Sequence, residues 1–283
     1  MKRKHLLFTL KYLIAAALLY YVLRQMDLAT FAGYMKRISI WAALGAFIAF
    51  NIGQIICAER MRYYYANAGQ PISRKFSIVS YYVGIFYNLV FPGGVGGDAY
   101  RVYLFKKVAN LPVGQGIRIQ LANRLNGLLV MSLMILVAAA FIDVGISKPL
   151  YWGGLALTAI LGTGCYFLLM KWFIKEEATS AWGAMLYSIA AQMCGLVTFA
   201  LIWASLSHGE GFAAYIVLFL TALIVSMLPV TIGGLGIREF VFLHGAEWLN
   251  GYAHLGISPE MGVAFSLSFF AVTAATALIG LVL

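Results

Sequence analysis

Charge is scarce in this sequence. Only 11% of its 283 residues are charged, against 63% hydrophobic, and the mean hydropathy is +0.88. A soluble domain could not hide that much apolar side chain, so the composition excludes a water-soluble fold and implies a helical protein with several membrane spans. Acids are scarcer still, ten Asp and Glu against twenty Lys and Arg, for a formal charge of +10. In a membrane protein such an excess reads as topology information and not as nucleic-acid binding. The three cysteines, Cys57, Cys165 and Cys194, all sit in apolar stretches. That excludes a disulfide framework and predicts buried spectator thiols. His5, His208, His244 and His254 are scattered without a metal-binding spacing, so no metal or other cofactor is expected.

What is present is a succession of apolar runs. The first, 6–23, follows Met1-Lys-Arg-Lys, lacks a small-x-small cleavage site at its end and is read as a span with its basic start in the cytoplasm. Residues 27–38 repeat Leu28, Phe31, Met35 and Ile38 at helical spacing, which suits either an interfacial amphipathic helix or a solvated linker. Further full spans are expected at 40–58, 119–142, 151–173, 182–206 and 261–283, the last ending inside.

Two apolar segments break at Pro and Gly. Residues 88–101 read Asn-Leu-Val-Phe-Pro-Gly-Gly-Val-Gly-Gly-Asp-Ala-Tyr-Arg, and 225–239 read Val-Ser-Met-Leu-Pro-Val-Thr-Ile-Gly-Gly-Leu-Gly-Ile-Arg-Glu. Both follow one pattern: Pro, three residues, Gly-Gly, three residues, Arg. Pro92 aligns with Pro229, Gly96-Gly97 with Gly233-Gly234, and Arg101 with Arg238. Pro71, Pro112, Pro149 and Pro259 fall in expected loops, so only Pro92 and Pro229 interrupt apolar segments. A continuous helix over 76–108 would be about 50 Å long, too long for one span. A full crossing at 76–91 would put Arg101, Lys106, Lys107 and Arg118 outside, against the positive-inside bias. A re-entrant hairpin over 76–108 resolves both conflicts. After His208 the only Lys or Arg is Arg238, so a second hairpin, 212–228 with 235–249, is expected to enter from the opposite face.

The expected fold is therefore all-α and polytopic, with about six full transmembrane helices plus two opposed re-entrant helical hairpins. The whole chain forms one membrane domain built from inverted halves, 40–142 and 181–283, whose breaks meet near the bilayer midplane. The second arm of each hairpin would aim its N-terminal N–H groups and the positive end of its dipole at that point, an anion site. Gly93, Gly94, Gly96, Gly97, Gly233, Gly234 and Gly236 would let a headgroup approach bare backbone. Arg101 and Arg238 lie about one turn into the second arms, and a guanidinium suits a phosphate bidentately. Asp98 and Arg101, three apart, share a helix face and can pair. Glu239 is predicted to reach Arg124 or another helix. Three readings of Asp98, Arg101, Arg124, Arg238 and Glu239 stay open: substrate contact, an internal salt-bridge set that holds the hairpins, and interfacial snorkelling. The run 93–98 is not a P-loop, because the Lys-Ser/Thr is missing.

At these residues the sequence resembles the transmembrane region of lysylphosphatidylglycerol synthases, a flippase-like membrane family. The resemblance rests on Asn88, Pro92, Gly97-Asp98, Arg101, the segment Leu-Ala-Asn-Arg-Leu-Asn-Gly at 121–127, and Leu228-Pro229 followed by Gly-Gly-Leu-Gly-Ile-Arg-Glu at 233–239. It implies movement of lipids between leaflets, with Asn88 among the headgroup-binding residues. Asn123 stands where the family pattern carries an acidic residue, which leaves Glu239 as the expected acidic partner of Arg124. No soluble aminoacyl-transferase domain follows, so synthase activity is not expected.

The leading functional expectation is a flippase-like transporter in the cytoplasmic membrane. Its partner would be a membrane lipid, an anionic phospholipid or a polyprenyl-linked one. The alternatives are a non-transporting subunit that supports an envelope-synthesis enzyme, and a membrane-embedded lipid-linked transferase. The last needs carboxylates or a metal in an aqueous loop, and the loops here hold few.

Overall fold

The structure, a computed structural model, describes residues 20, 24, 28–91, 95–174, 180–206, 211–228, 233–253 and 255–283. The expected first span at 6–23 lies almost wholly outside them. Among the described residues there are ten α-helices and no strand. They are α1 (Leu28–Arg37), α2 (Ile40–Asn67), α3 (Arg74–Val90), α4 (Gly96–Ala109), α5 (Val113–Ala139), α6 (Lys148–Leu169), α7 (Ala181–Leu206), α8 (Phe212–Ser226), α9 (Ile237–Ala253) and α10 (Pro259–Val282). A π-helical turn, Met170–Ile174, extends α6. Five helices are long and apolar enough to cross a membrane: α2, α5, α6 with its π turn, α7 and α10. The protein is a multi-pass membrane protein.

Local chemistry sets the helix starts. Ser39, Ser73 and Ser258 accept hydrogen bonds from Trp41, Phe76 and Met261 N–H, which satisfies otherwise orphaned donors. Pro149 and Pro259 sit in the first turns of α6 and α10, where a missing N–H costs nothing, and not in loops as expected. The expected 109–117 loop is shorter too, because α5 begins at Val113 and takes in Arg118. Helix α1 rests Phe31 and Tyr34 on the core, as an amphipathic helix would, and Ile38 packs there just past its end.

Each half of the chain reads long, short, short, long: α2 to α5, then α7 to α10, with α6 between. Helices α2 and α7 run antiparallel. Gly45 lies against Leu201, Gly53 against Cys194, and the Tyr63 ring packs at a tilt on Tyr187, 5.7 Å between centroids. The first short pair closes on the C-terminal end of α2, where Phe105 of α4 stacks on Tyr65 at 4.2 Å and meets Phe76 of α3 at 5.1 Å. The second closes at the C-terminal end of α7. There Trp203 packs on Phe212 at 4.7 Å, Tyr215 donates to Ser258 O, and Asn250 exchanges hydrogen bonds with Ile257. Because α2 and α7 are antiparallel, the two hairpins enter the bundle from opposite ends. Their tips meet: Leu89 of the first lies against Gly233 of the second.

Each hairpin has its own apolar core. One gathers Phe199, Phe219, Phe242, Phe265 and Phe269. The other gathers Tyr64, Tyr65, Phe105, Ile119, Tyr166 and Met170. The cysteines are free, but Cys165 is exposed on α6 and Cys57 and Cys194 are only half-buried, not the buried thiols expected.

Candidate functional site

The first hairpin crosses at two glycines. A Cβ on Gly97 would overlap the Gly84 carbonyl, and one on Gly84 would stand 2.6 Å from the Arg101 guanidinium. Bare backbone at both positions lets α3 and α4 close together. Arg101, 3% exposed, then lies along α3. It donates to Asp98 Oδ1 at 2.8 Å and to Tyr81 O at 3.0 Å, and stacks 4.2 Å over the Tyr81 ring. The expected Asp98–Arg101 pair is formed. The other Asp98 oxygen accepts from Arg124 Nε on α5, so one carboxylate bridges two guanidinium groups.

The second hairpin is built differently. Gly233, Gly234 and Gly236 have φ of 58°, 76° and 82°, a left-handed run open to glycine. It leads into α9, where Glu239 reaches back to the Gly236 N–H at 2.6 Å, as a capping-box acid does, and also accepts from Ser266 at 2.7 Å. Glu239 is fully buried; of the two partners expected from the sequence, Arg124 or another helix, it takes the second, through Ser266 on α10. Asp98, one turn from Arg101 and facing α5, pairs with Arg124. Arg238 is 5% exposed and donates to Gly233 O at 3.2 Å. Its Nε has no hydrogen-bond partner among the described residues, and its guanidinium lies 5.4 Å from the Phe270 ring and 5.8 Å from that of Phe269.

Between the hairpins lies a cavity of about 350 Å³. Asn88, Asp98, Arg101 and Arg124 reach it from one half, and Gly233, Gly234 and Arg238 from the other. Glu239, Gly96, Gly97 and Gly236 do not line it; Pro92, Gly93, Gly94 and Pro229 lie outside the described residues. The helix N-termini are less bare than expected, since Asn88 Oδ1 accepts from the Gly97 N–H at 2.7 Å while Glu239 takes that of Gly236. The positive charge of the walls comes from guanidinium groups and not from backbone N–H groups at the helix starts.

The family model for the lysylphosphatidylglycerol synthase TM region matches residues 8–280. The chain belongs to this family. The match spans both hairpins and the cavity between them. No curated protein matches the chain.

A fourth arginine of the cavity escaped the sequence reading. Arg60, 5% exposed, lines it from α2. Its Nε donates to Asn123 Oδ1 at 2.7 Å and its Nη1 to Ser188 Oγ at 2.5 Å. Ser188 continues to Asn126, which meets Tyr64 and Tyr166, so a buried polar chain leads from the cavity toward the C-terminal end of α2. The expected span ended at residue 58, before Glu59-Arg60. The signal available was the aromatic run Tyr63-Tyr64-Tyr65, which carries α2 on to Asn67.

Proposed function

We propose that the protein is a lipid flippase-like membrane transporter that holds an anionic or lipid-linked headgroup between the two hairpins while the tails stay in lipid. One observation carries this reading: guanidinium groups from both halves line a single cavity at the meeting point of two opposed hairpins. Buried arginines in a membrane protein face a partner or an ion path, and Arg238 lacks an acidic hydrogen-bonding partner. In this reading the hairpins are re-entrant from opposite leaflets of the cytoplasmic membrane, both termini are cytoplasmic, and rocking of the inverted halves alternates access. We take the protein to be a carrier and not an enzyme, since Asp98, the cavity's one carboxylate among the described residues, is held by two arginines and is poorly placed to act as a base.

The test is leaflet exchange in proteoliposomes with labelled phosphatidylglycerol, phosphatidylcholine and a polyprenyl phosphate. Wild type is expected to exchange an anionic lipid faster than phosphatidylcholine, and Arg238→Ala to abolish the difference. Failure to exchange any of the three would overturn the transport reading in favour of a supporting subunit of an envelope enzyme.

A further inference from the structure

We propose that the cavity is matched to headgroups bearing two or more negative charges on one compact group, a phosphomonoester or a diphosphate, over the single charge of a phosphodiester. Asn123 sets this preference by leaving Arg60 without a counter-charge. The inference rests on the headgroup reading above and names its substrate class.

The argument is a census of buried charge. Four guanidinium groups line the cavity: Arg60, Arg101, Arg124 and Arg238. Arg101 and Arg124 share Asp98. Arg60 is held by neutral acceptors alone, Asn123 Oδ1 and Ser188 Oγ, and no described residue accepts from its Nη2. Arg238 has a backbone carbonyl and two phenyl rings, with Nε unpartnered although buried. Two further carboxylates adjoin cavity arginines in sequence and are engaged elsewhere: Glu239 by Gly236 and Ser266, and Glu59 by Arg62 and Arg74. Among the described residues, even with Glu239 counted against the four cavity arginines, two positive charges stay uncompensated. Residues 92–94 and 229–232 carry no ionisable side chain.

Uncompensated charge at membrane depth is costly, and a ligand that cancels it removes that cost. A phosphodiester cancels one of the two charges. A phosphomonoester or diphosphate cancels both and supplies acceptors for both arginine forks. The cavity, about 350 Å³, suits a headgroup rather than a whole lipid. Asn123 accepts from Arg60 as Asp would, but adds no charge.

Binding to the purified full chain in detergent tests this with four soluble probes: farnesyl diphosphate, dihexanoyl phosphatidic acid, dihexanoyl phosphatidylglycerol and dihexanoyl phosphatidylcholine. Wild type should bind the first or the first two at least about tenfold tighter than phosphatidylglycerol, the effect of one further charge-assisted hydrogen bond. Preference for farnesyl diphosphate alone would assign an isoprenoid carrier; equal binding of phosphatidic acid would assign the phosphate charge itself. Asn123→Asp, which gives Arg60 a counter-ion, should reduce the preference to about threefold or less, and Arg60→Gln should do the same by removing the cation. Both variants are checked for folding by elution profile and helical circular dichroism. Equal binding of all three anions by wild type, or an unchanged preference in both folded variants, overturns the charge assignment while leaving the headgroup reading standing. Binding of none of the anions overturns both.

Discussion

The two hairpins share a sequence pattern and differ in what their arginines do. Arg101 is firmly held: a carboxylate, the Tyr81 carbonyl and an aromatic face fix it along α3. Arg238 has one long bond to a carbonyl, a bare Nε and two rings near it. The acids differ in the same way. Asp98 stands in the cavity and neutralises guanidinium groups, whereas Glu239 is turned into its own helix start. A repeated Pro–Gly-Gly–Arg element has therefore become a fastener in one half and an open cationic wall in the other. Of the readings left open by the sequence, the internal salt-bridge set describes the first hairpin and not the second.

The sharpest way to break this comparison is at the glycines. Gly97→Ala drives a Cβ into the Gly84 backbone, so α3 and α4 must separate and the Asp98–Arg101–Arg124 bridge with them. We expect a loss of about 3 kcal/mol or more, read by titrating the detergent-solubilised protein with a denaturing detergent. Gly234→Ala, at the equivalent position, meets the Ser226 side chain and a φ of +76° instead of backbone. Its expected cost is about 1–2 kcal/mol. If Gly97→Ala proves the milder of the two, the first hairpin is not the fastened one.

A smaller effect separates the arginines themselves. Arg101→Ala takes one donor from Asp98 and the second donor from the Ser80 and Tyr81 carbonyls of α3, and should cost roughly 2–3 kcal/mol in the same titration. Arg238→Met removes an under-bonded buried cation and keeps an apolar side chain against Phe269 and Phe270. Its stability should stay within about 1 kcal/mol of wild type or rise, as replacement of buried charge by apolar volume often does. A comparable loss in both variants would mean that Arg238 too is a structural fastener, and would remove the main support for a ligand there.

Much of this was legible in the sequence, for a physical reason. Helix lengths against bilayer thickness, and prolines inside apolar runs, are constraints that few side chains can override, so the long, short, short, long order of each half followed from them. The Asp98–Arg101 pair followed from helical spacing. What was not legible depended on packing between distant segments. Arg60 lies beyond the expected end of the 40–58 span because hydropathy falls at Glu59-Arg60, yet α2 continues for two more turns and turns Arg60 inward to Asn123 and Ser188. The partner of Arg124 could not be read from spacing either. Asp98 is 26 residues away and Glu239 is 115, and only the closure of α3 on α4 at Gly84 and Gly97 brings the nearer acid to α5. Asn123 was visible as a departure from the family pattern, but its consequence falls on Arg60 and not on the adjacent Arg124.

The smallest expected effect is also the most discriminating for the second hairpin. In Glu239→Gln the amide oxygen can still accept from the Gly236 N–H, and Ser266 can turn its hydroxyl to accept from the new NH2. Gln is itself a capping-box residue, so stability should change by no more than about 1 kcal/mol. What the substitution removes is the carboxylate charge beside Arg238. Anion binding should therefore strengthen, most for probes with two charges, which is the opposite sign to Asn123→Asp. Two variants in different halves, each with little effect on the fold, would then move one affinity in opposite directions. A stable Glu239→Gln protein that binds farnesyl diphosphate no more tightly than wild type would place the Arg238 charge outside the binding balance, and would leave Arg60 as the cation that sets it.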